Sequence, residues 1–210
     1  MKKIVIVGDS FCTHSKGWPG ILATKLNLEL IKHGIGEHWW GAKTFLEGID
    51  RTDVEVIVFA HTFGQRIPTL YSPTIEQHAI DEYYKHIHNE EFLNWAQQKW
   101  FDEVSSTWSD IKLINIHTFP WSADFKNHLR GVNILPNLSC ISLNEVDAEV
   151  PEIDESKIAP GLRRMNHFNE FNNNILADQL AEIITDYKEG DVELDISQFQ
   201  LLTQRWSTWR

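Results

Sequence analysis

Gly8-Asp9-Ser10 ends the first apolar run of the chain, "KIVIV", and sets an acid and a hydroxyl at one point. In open α/β folds the carboxyl edge of the sheet is where ligands and reactive groups gather. Three chemistries use a motif just after a first strand. A phosphate-cradling loop needs two glycines five residues apart, then Lys and Ser or Thr; Thr13 stands where the second glycine belongs, so the backbone nest is missing. An aspartyl-phosphate enzyme wants a second acid two residues beyond Asp9 to help bind magnesium, and Phe11 is there instead. A serine nucleophile remains. Its hydroxyl reacts only if a base takes the proton and donors hold the oxyanion, so partners must exist elsewhere in the chain. The plain alternative is a strand-end hydroxyl that satisfies a turn.

Gly8-Asp9-Ser10-Phe11 closing a first strand resembles the first block of the SGNH/GDSL hydrolase superfamily, and "MNHFNEFNNNILADQLAEII" is similar to its last block. The resemblance implies Ser10 as nucleophile and His167 as general base. Phe168 follows His167, and Asn169 can cap the helix that Ile175 to Ile184 continue. Asn172 stands where family members often have Gly. The stretch "HGIGEHWWG" resembles the segment whose backbone N–H joins the oxyanion hole, with Gly36 or Glu37 at the donor position beside the Ser10 N–H. After the third strand the family usually presents Gly-x-Asn-Asp. Here the run is "FAHTFGQRIP", which leaves His61 or Thr62 to donate, Thr62 more simply because a hydroxyl needs no particular protonation state. Three residues before His167 the family carries an Asp that orients the imidazole, and this chain has Arg164. An inward-pointing arginine would oppose imidazolium formation. The departure leaves either a Ser10/His167 dyad oriented by a carbonyl, or an acid from another segment such as 145–155.

The implied activity is ester hydrolysis of a small-molecule or glycan ester, without cofactor or metal; family relatives deacetylate carbohydrates or cleave lipid and small esters. Two readings of another class stand beside it. One is a non-catalytic member that keeps the cleft to bind a glycan or a partner chain. The other is an assembly protein acting as a homo-oligomer through a C-terminal tail that bears Trp206 and Trp209.

Several further residues sit where a cleft is expected. His117 ends a fourth strand on the same sheet edge, Trp39 and Trp40 follow the second strand, and Trp121 follows the fourth. Tyr71, Tyr83, Tyr84, Trp95, Trp100 and Trp108 cluster between strands three and four, as a substrate groove or as ordinary packing. The ten histidines do not compose a metal site: His86 and His88 would face apart on a helix, and no His-x-x-x-His with a nearby acid is evident. Cys12 reads as packing at a helix start.

The elements that must position these residues are legible as short β-branched runs: Ile4 to Val7, Leu28 to Lys32, Val54 to Phe59, Lys112 to Ile116 and, more weakly, Cys140 to Leu143. Trp18, Ile21, Leu22 and Leu26 have helical spacing, with Pro19 in the first turn. The stretch from about Thr74 to Ser106 is expected to be helical, with Phe92, Leu93, Ala96, Trp100 and Val104 as one apolar stripe. Strands alternating with helices predict a three-layer α/β/α domain with a parallel sheet of about five strands; the resemblance makes it flavodoxin-like, of the SGNH hydrolase type. The domain is expected to span 1–188 with an insertion at about 60–110, followed by a tail at 189–210.

Composition limits the partners. With 19 basic against 30 acidic residues and a net charge of −11, the chain repels phosphate backbones and anionic membranes, so nucleic acid is not an expected partner. The apolar runs are strand-sized, too short for a membrane span, and "KKIVIVGD" is too short for a signal h-region. Two cysteines without metal or redox spacing fit a reducing compartment such as the cytoplasm, and fit a protein carried in a virion equally.

Overall fold

The structure is a computed structural model that describes residues 1–34, 39–61, 82, 85–87, 89–118, 130–135, 137–138 and 168–200. Among these residues six strands form one sheet: β1 (Lys3–Gly8), β2 (Glu29–Gly34), β3 (Val54–His61), β4 (Lys112–His117), β5 (Val132–Leu135) and β6 (Gly190–Glu193). Every pairing is parallel and the spatial order is β2-β1-β3-β4-β5-β6. The α-helices whose bounds lie within the described residues are α1 (Trp18–Lys25), α2 (Trp39–Gly48), α3 (Glu90–Thr107) and α4 (Glu170–Thr185).

Side chains alternate across a strand, so each apolar run supplies both faces of the sheet at once. Ile4, Ile6, Val56, Val58, Ile114, Ile116, Val132 and Ile134 face one way and pack with Trp18 and Leu22 of α1 and Leu176, Leu180 and Ile184 of α4. Val5, Val7, Ile57, Phe59 and Leu113 face the other way, against Ala42 and Leu46 of α2 and Trp100, Phe101 and Val104 of α3. Helices therefore cover both faces, as the unbroken hydrophobic runs require of a parallel sheet. The first five strands follow the order of flavodoxin-like doubly wound sheets.

This topology fixes where chemistry belongs. The chain runs from β1 outward to β2 on one side and then returns to place β3 on the other, so the strand order reverses between β1 and β3. A crevice opens outside the carboxyl ends of strands at such a switch point. Gly8 ends β1 there and His61 ends β3.

Three expectations change. The sheet has six strands rather than five, because Gly190–Glu193 pairs in register with Val132–Leu135. That segment, "GDVE", carries one apolar residue; as the last strand of the sheet it is held by backbone bonds more than by burial. Leu194 and Phe199 behind it are buried, so residues 190–199 pack on the body at the start of the expected tail. Second, α3 begins at Glu90, capped by Asn89, whose side chain accepts from the Phe92 amide; residues 74–81 lie outside the described part. Third, its stripe is buried only toward the carboxyl half: Trp100, Phe101, Val104 and Trp108 enter the core, whereas Phe92 and Trp95 are 58% and 57% exposed. The strand expected at 140–143 lies outside the described residues, and β5 is Val132–Leu135.

Local chemistry explains the ends of α1. It stops in a left-handed residue, Asn27 at φ 53°, with the Leu28 amide bonded to the Ala23 carbonyl and the Asn27 amide to that of Thr24. This double bond closes the last turn, and Asn is one of the few non-glycine residues that adopts the conformation readily. No helix among the described residues is long and apolar enough to cross a membrane.

Candidate active site

The turn after β1 is built by three residue types with three separate tasks. Gly8 has φ +151°, and a Cβ there would lie 2.3 Å from the Ala60 carbonyl oxygen of β3; only glycine fits. Asp9 is 1% exposed, and its Oδ1 accepts from the Phe11 amide at 3.0 Å, the turn that short acidic side chains favour. Its carbonyl accepts from the Cys12 amide and thiol, at 3.1 and 3.2 Å. Ser10 thus starts a short 3-10 turn, Ser10–Cys12, held on both sides. Burial, reinforced by the charge of Asp9, pushes the Cys12 thiol far above its ordinary range, so it stays a protonated, inert group in the core. Lys32 of β2 donates to the Thr13 carbonyl and ties down the following residue.

The last block begins at the edge of the described chain. His167 lies just outside it, and Phe168, completely buried, is its first described neighbour. The Phe168 ring meets the Phe11 ring edge to face, centroids 5.6 Å apart and planes at 70°. Asn169 caps α4 as expected: its side chain accepts from the Asn172 amide at 2.7 Å. Asn172, where the resemblance leads one to expect glycine, is fully buried and binds the backbone of Gln200 twice, accepting from its amide at 2.8 Å and donating to its carbonyl at 3.0 Å. Asn173 is fully buried as well and reaches α1, accepting from the Trp18 amide at 2.7 Å.

At the end of β3, His61 is 7% exposed and lies beside its register partner His117 of β4, which is 3% exposed. Their rings stack at 5.3 Å, and His61 also stacks on Phe59 at 5.5 Å and meets the edge of Phe101 at 4.9 Å. His61 Nε2 is 3.0 Å from Asn115 Oδ1. The Asn115 amide nitrogen donates to the Arg130 carbonyl, so its oxygen faces His61 and the proton sits on His61 Nε2. Burial first, then the neighbouring His117, push the His61 pKa down to about 3 against the opposing pull of Asn115. At neutral pH His61 is an uncharged imidazole whose one N–H is already engaged. Beyond the strand end, the Thr118 amide donates to the His61 carbonyl, and the Thr118 hydroxyl is buried without a hydrogen-bond partner among the described residues.

Of the residues singled out by sequence, His61 and His117 end the neighbouring strands β3 and β4, and Ser10 follows the carboxyl end of β1 in the short turn Ser10–Cys12. Trp39 and Trp40 form the first turn of α2. Gly36, Thr62, Trp121, Arg164 and His167 lie outside the described residues. Sequence reasoning passed over Asn115, Asn173 and Thr118. Asn115 carried a signal, a lone amide inside the apolar run "LINIH". Asn173 carried none, because its partner is a backbone amide far away in the chain.

No protein-family model matches the chain, and no curated protein matches it. Among solved structures it is similar to a "putative lipolytic protein of G-D-S-L family" from Desulfitobacterium hafniense DCB-2, at 12% identity and a TM-score of 0.49, over 87% of this chain and 99% of that one.

Proposed function

We propose that the chain is a serine ester hydrolase of the SGNH type. The observation that carries this reading is the edge-to-face contact of Phe11 with Phe168. The residue after Ser10 touches the residue after His167, although the two lie near opposite ends of the chain. In the proposed reaction Ser10 Oγ attacks an acyl carbonyl while His167 takes its proton. The oxyanion is held by the backbone N–H groups of Ser10 and Gly36 and by the Thr62 hydroxyl. Collapse returns the proton from His167 to the leaving alcohol; water, activated by His167, then releases the acyl group and restores Ser10. An acetylated carbohydrate is the proposed substrate class, because aromatic side chains flank the same edge in the sequence and their faces suit sugar rings.

A non-catalytic cleft that binds a glycan is a second reading, favoured by the engagement of the His61 N–H with Asn115, which removes one donor from the end of β3. Purified protein exposed to a fluorophosphonate probe and to a small aryl acetate separates the two. Labelling and turnover that both vanish in Ser10→Ala support the hydrolase. A folded wild-type protein that neither labels nor turns over sinks it and leaves the binding reading.

A further inference from the structure

We propose that Trp18 and Asn173 are positioning residues, a clamp that holds the backbone following Ser10 against the backbone following His167. The inference rests on the hydrolase reading above.

The clamp starts from a deficiency in α1. Its N-cap is Gly17, which makes no side-chain cap bond, and the Trp18 amide is one of the first-turn N–H groups that find no carbonyl within the helix. Asn173 supplies the acceptor from α4, with Oδ1 at 2.7 Å. The same side chain donates through Nδ2 to the carbonyls of Phe168, at 3.2 Å, and Asn169, at 3.0 Å. Trp18 in turn uses its only side-chain donor, Nε1, on the Phe11 carbonyl at 2.7 Å. Contact between the Phe11 and Phe168 rings closes the circuit. It runs from the Phe11 carbonyl through Trp18 and Asn173 to the Phe168 carbonyl, and back through the two rings.

All four side chains are at most 1% exposed. Packing alone would be met by an apolar residue at 173, whereas a buried amide carries a desolvation cost that its hydrogen bonds must offset. Each end of the circuit lies one residue past a proposed reacting group. Sliding Phe11 relative to Phe168 therefore moves Ser10 relative to His167, and a displacement of about 1 Å costs on the order of 100-fold in rate.

Trp18→Phe tests this. It keeps an aromatic ring and the backbone amide that Asn173 caps, and deletes the link to the Phe11 carbonyl together with the volume of one fused ring. Asn173→Ala cuts the other link, and the double variant cuts both. Rates per folded molecule are followed as kcat and KM on an aryl acetate and as the rate of Ser10 fluorophosphonylation. The clamp predicts a fall in kcat of about 10- to 100-fold in Trp18→Phe, KM within about twofold, and labelling slowed in parallel. It also predicts that the double variant is no slower than the slower single one, because the links act in series. Wild-type kcat and labelling in a folded Trp18→Phe overturn the clamp and leave the hydrolase standing. Wild-type protein that neither labels nor turns over removes the hydrolase reading and the clamp with it. Where Asn173→Ala does not fold, Trp18→Phe decides alone.

Discussion

His61 donates its Nε2 proton to Asn115 Oδ1 across 3.0 Å, and this bond fixes the tautomer of a ring at the end of β3. The imidazole is held neutral because Phe59, Phe101 and His117 surround it.

That neutrality makes the fold sensitive to acid. The unfolded His61 binds a proton near pH 6.5, and the folded one only near 3. Between those values the unfolded state holds more protons, so the contribution is complete above about pH 6.5 and shrinks as pH falls toward 3, by roughly 1.4 kcal/mol per unit. Urea unfolding of wild type and His61→Phe at pH 7 and pH 5 checks it. The variant, less stable at pH 7 because Asn115 loses its donor, should lose about 2 kcal/mol less than wild type on acidification. Equal losses would show that His61 titrates normally.

Gly8→Ala should be among the most damaging substitutions of a small side chain. The added Cβ would lie 2.3 Å from the Ala60 oxygen and 2.7 Å from the Ala60 Cβ, at a φ of +151° that L-residues avoid. Neither neighbour is a flexible side chain that can swing away. A loss of about 3 kcal/mol or more in chemical denaturation is expected.

Asn169→Ala removes the cap of α4 and should cost about 1 kcal/mol, whereas Asn169→Asp keeps an acceptor for the Asn172 amide and should stay within a few tenths of wild type. Thermal unfolding of the pair distinguishes loss of the cap from loss of the neighbouring bond between the Asn169 amide and Gln200 Oε1.

A chain ended after Glu189 should unfold more easily. It loses β6 and the buried Leu194 and Phe199, each worth roughly 1.5–3 kcal/mol of burial. Far-UV circular dichroism and a denaturant midpoint, read together with the oligomeric mass, check this. A midpoint equal to that of the full chain would mean that β6 adds nothing to the body.

Four of the six strands were legible because a parallel sheet covered on both faces demands β-branched runs such as "KIVIV" and "VEVIVFA". The cap at Asn169 was legible because capping is local. β6 was not: its "GDVE" is stabilised by pairing with β5, which leaves no hydrophobic trace. Phe92 and Trp95 misled in the opposite sense, since a helical stripe says which face is apolar but not how far along the helix the core extends. At the candidate site the residue types at 8, 9 and 10 announced a tight turn, while the bond that ties α1 to α4 joins Trp18 and Asn173, 155 positions apart, and left no local signal.

The capping of α1 by Asn173 also bears on how the protein is made. After Trp18 a nascent chain gains 155 further residues, β2 among them, before the side-chain amide that completes α1 leaves the ribosome. Until then the apolar side of α1, Trp18 and Leu22 included, lacks the helix that covers it. Parallel pairing between distant segments is slow to form, and surface left open in the interval is where chains aggregate. Among the described α-helices the first is finished by the last, so α1 is completed only once α4 has docked on it.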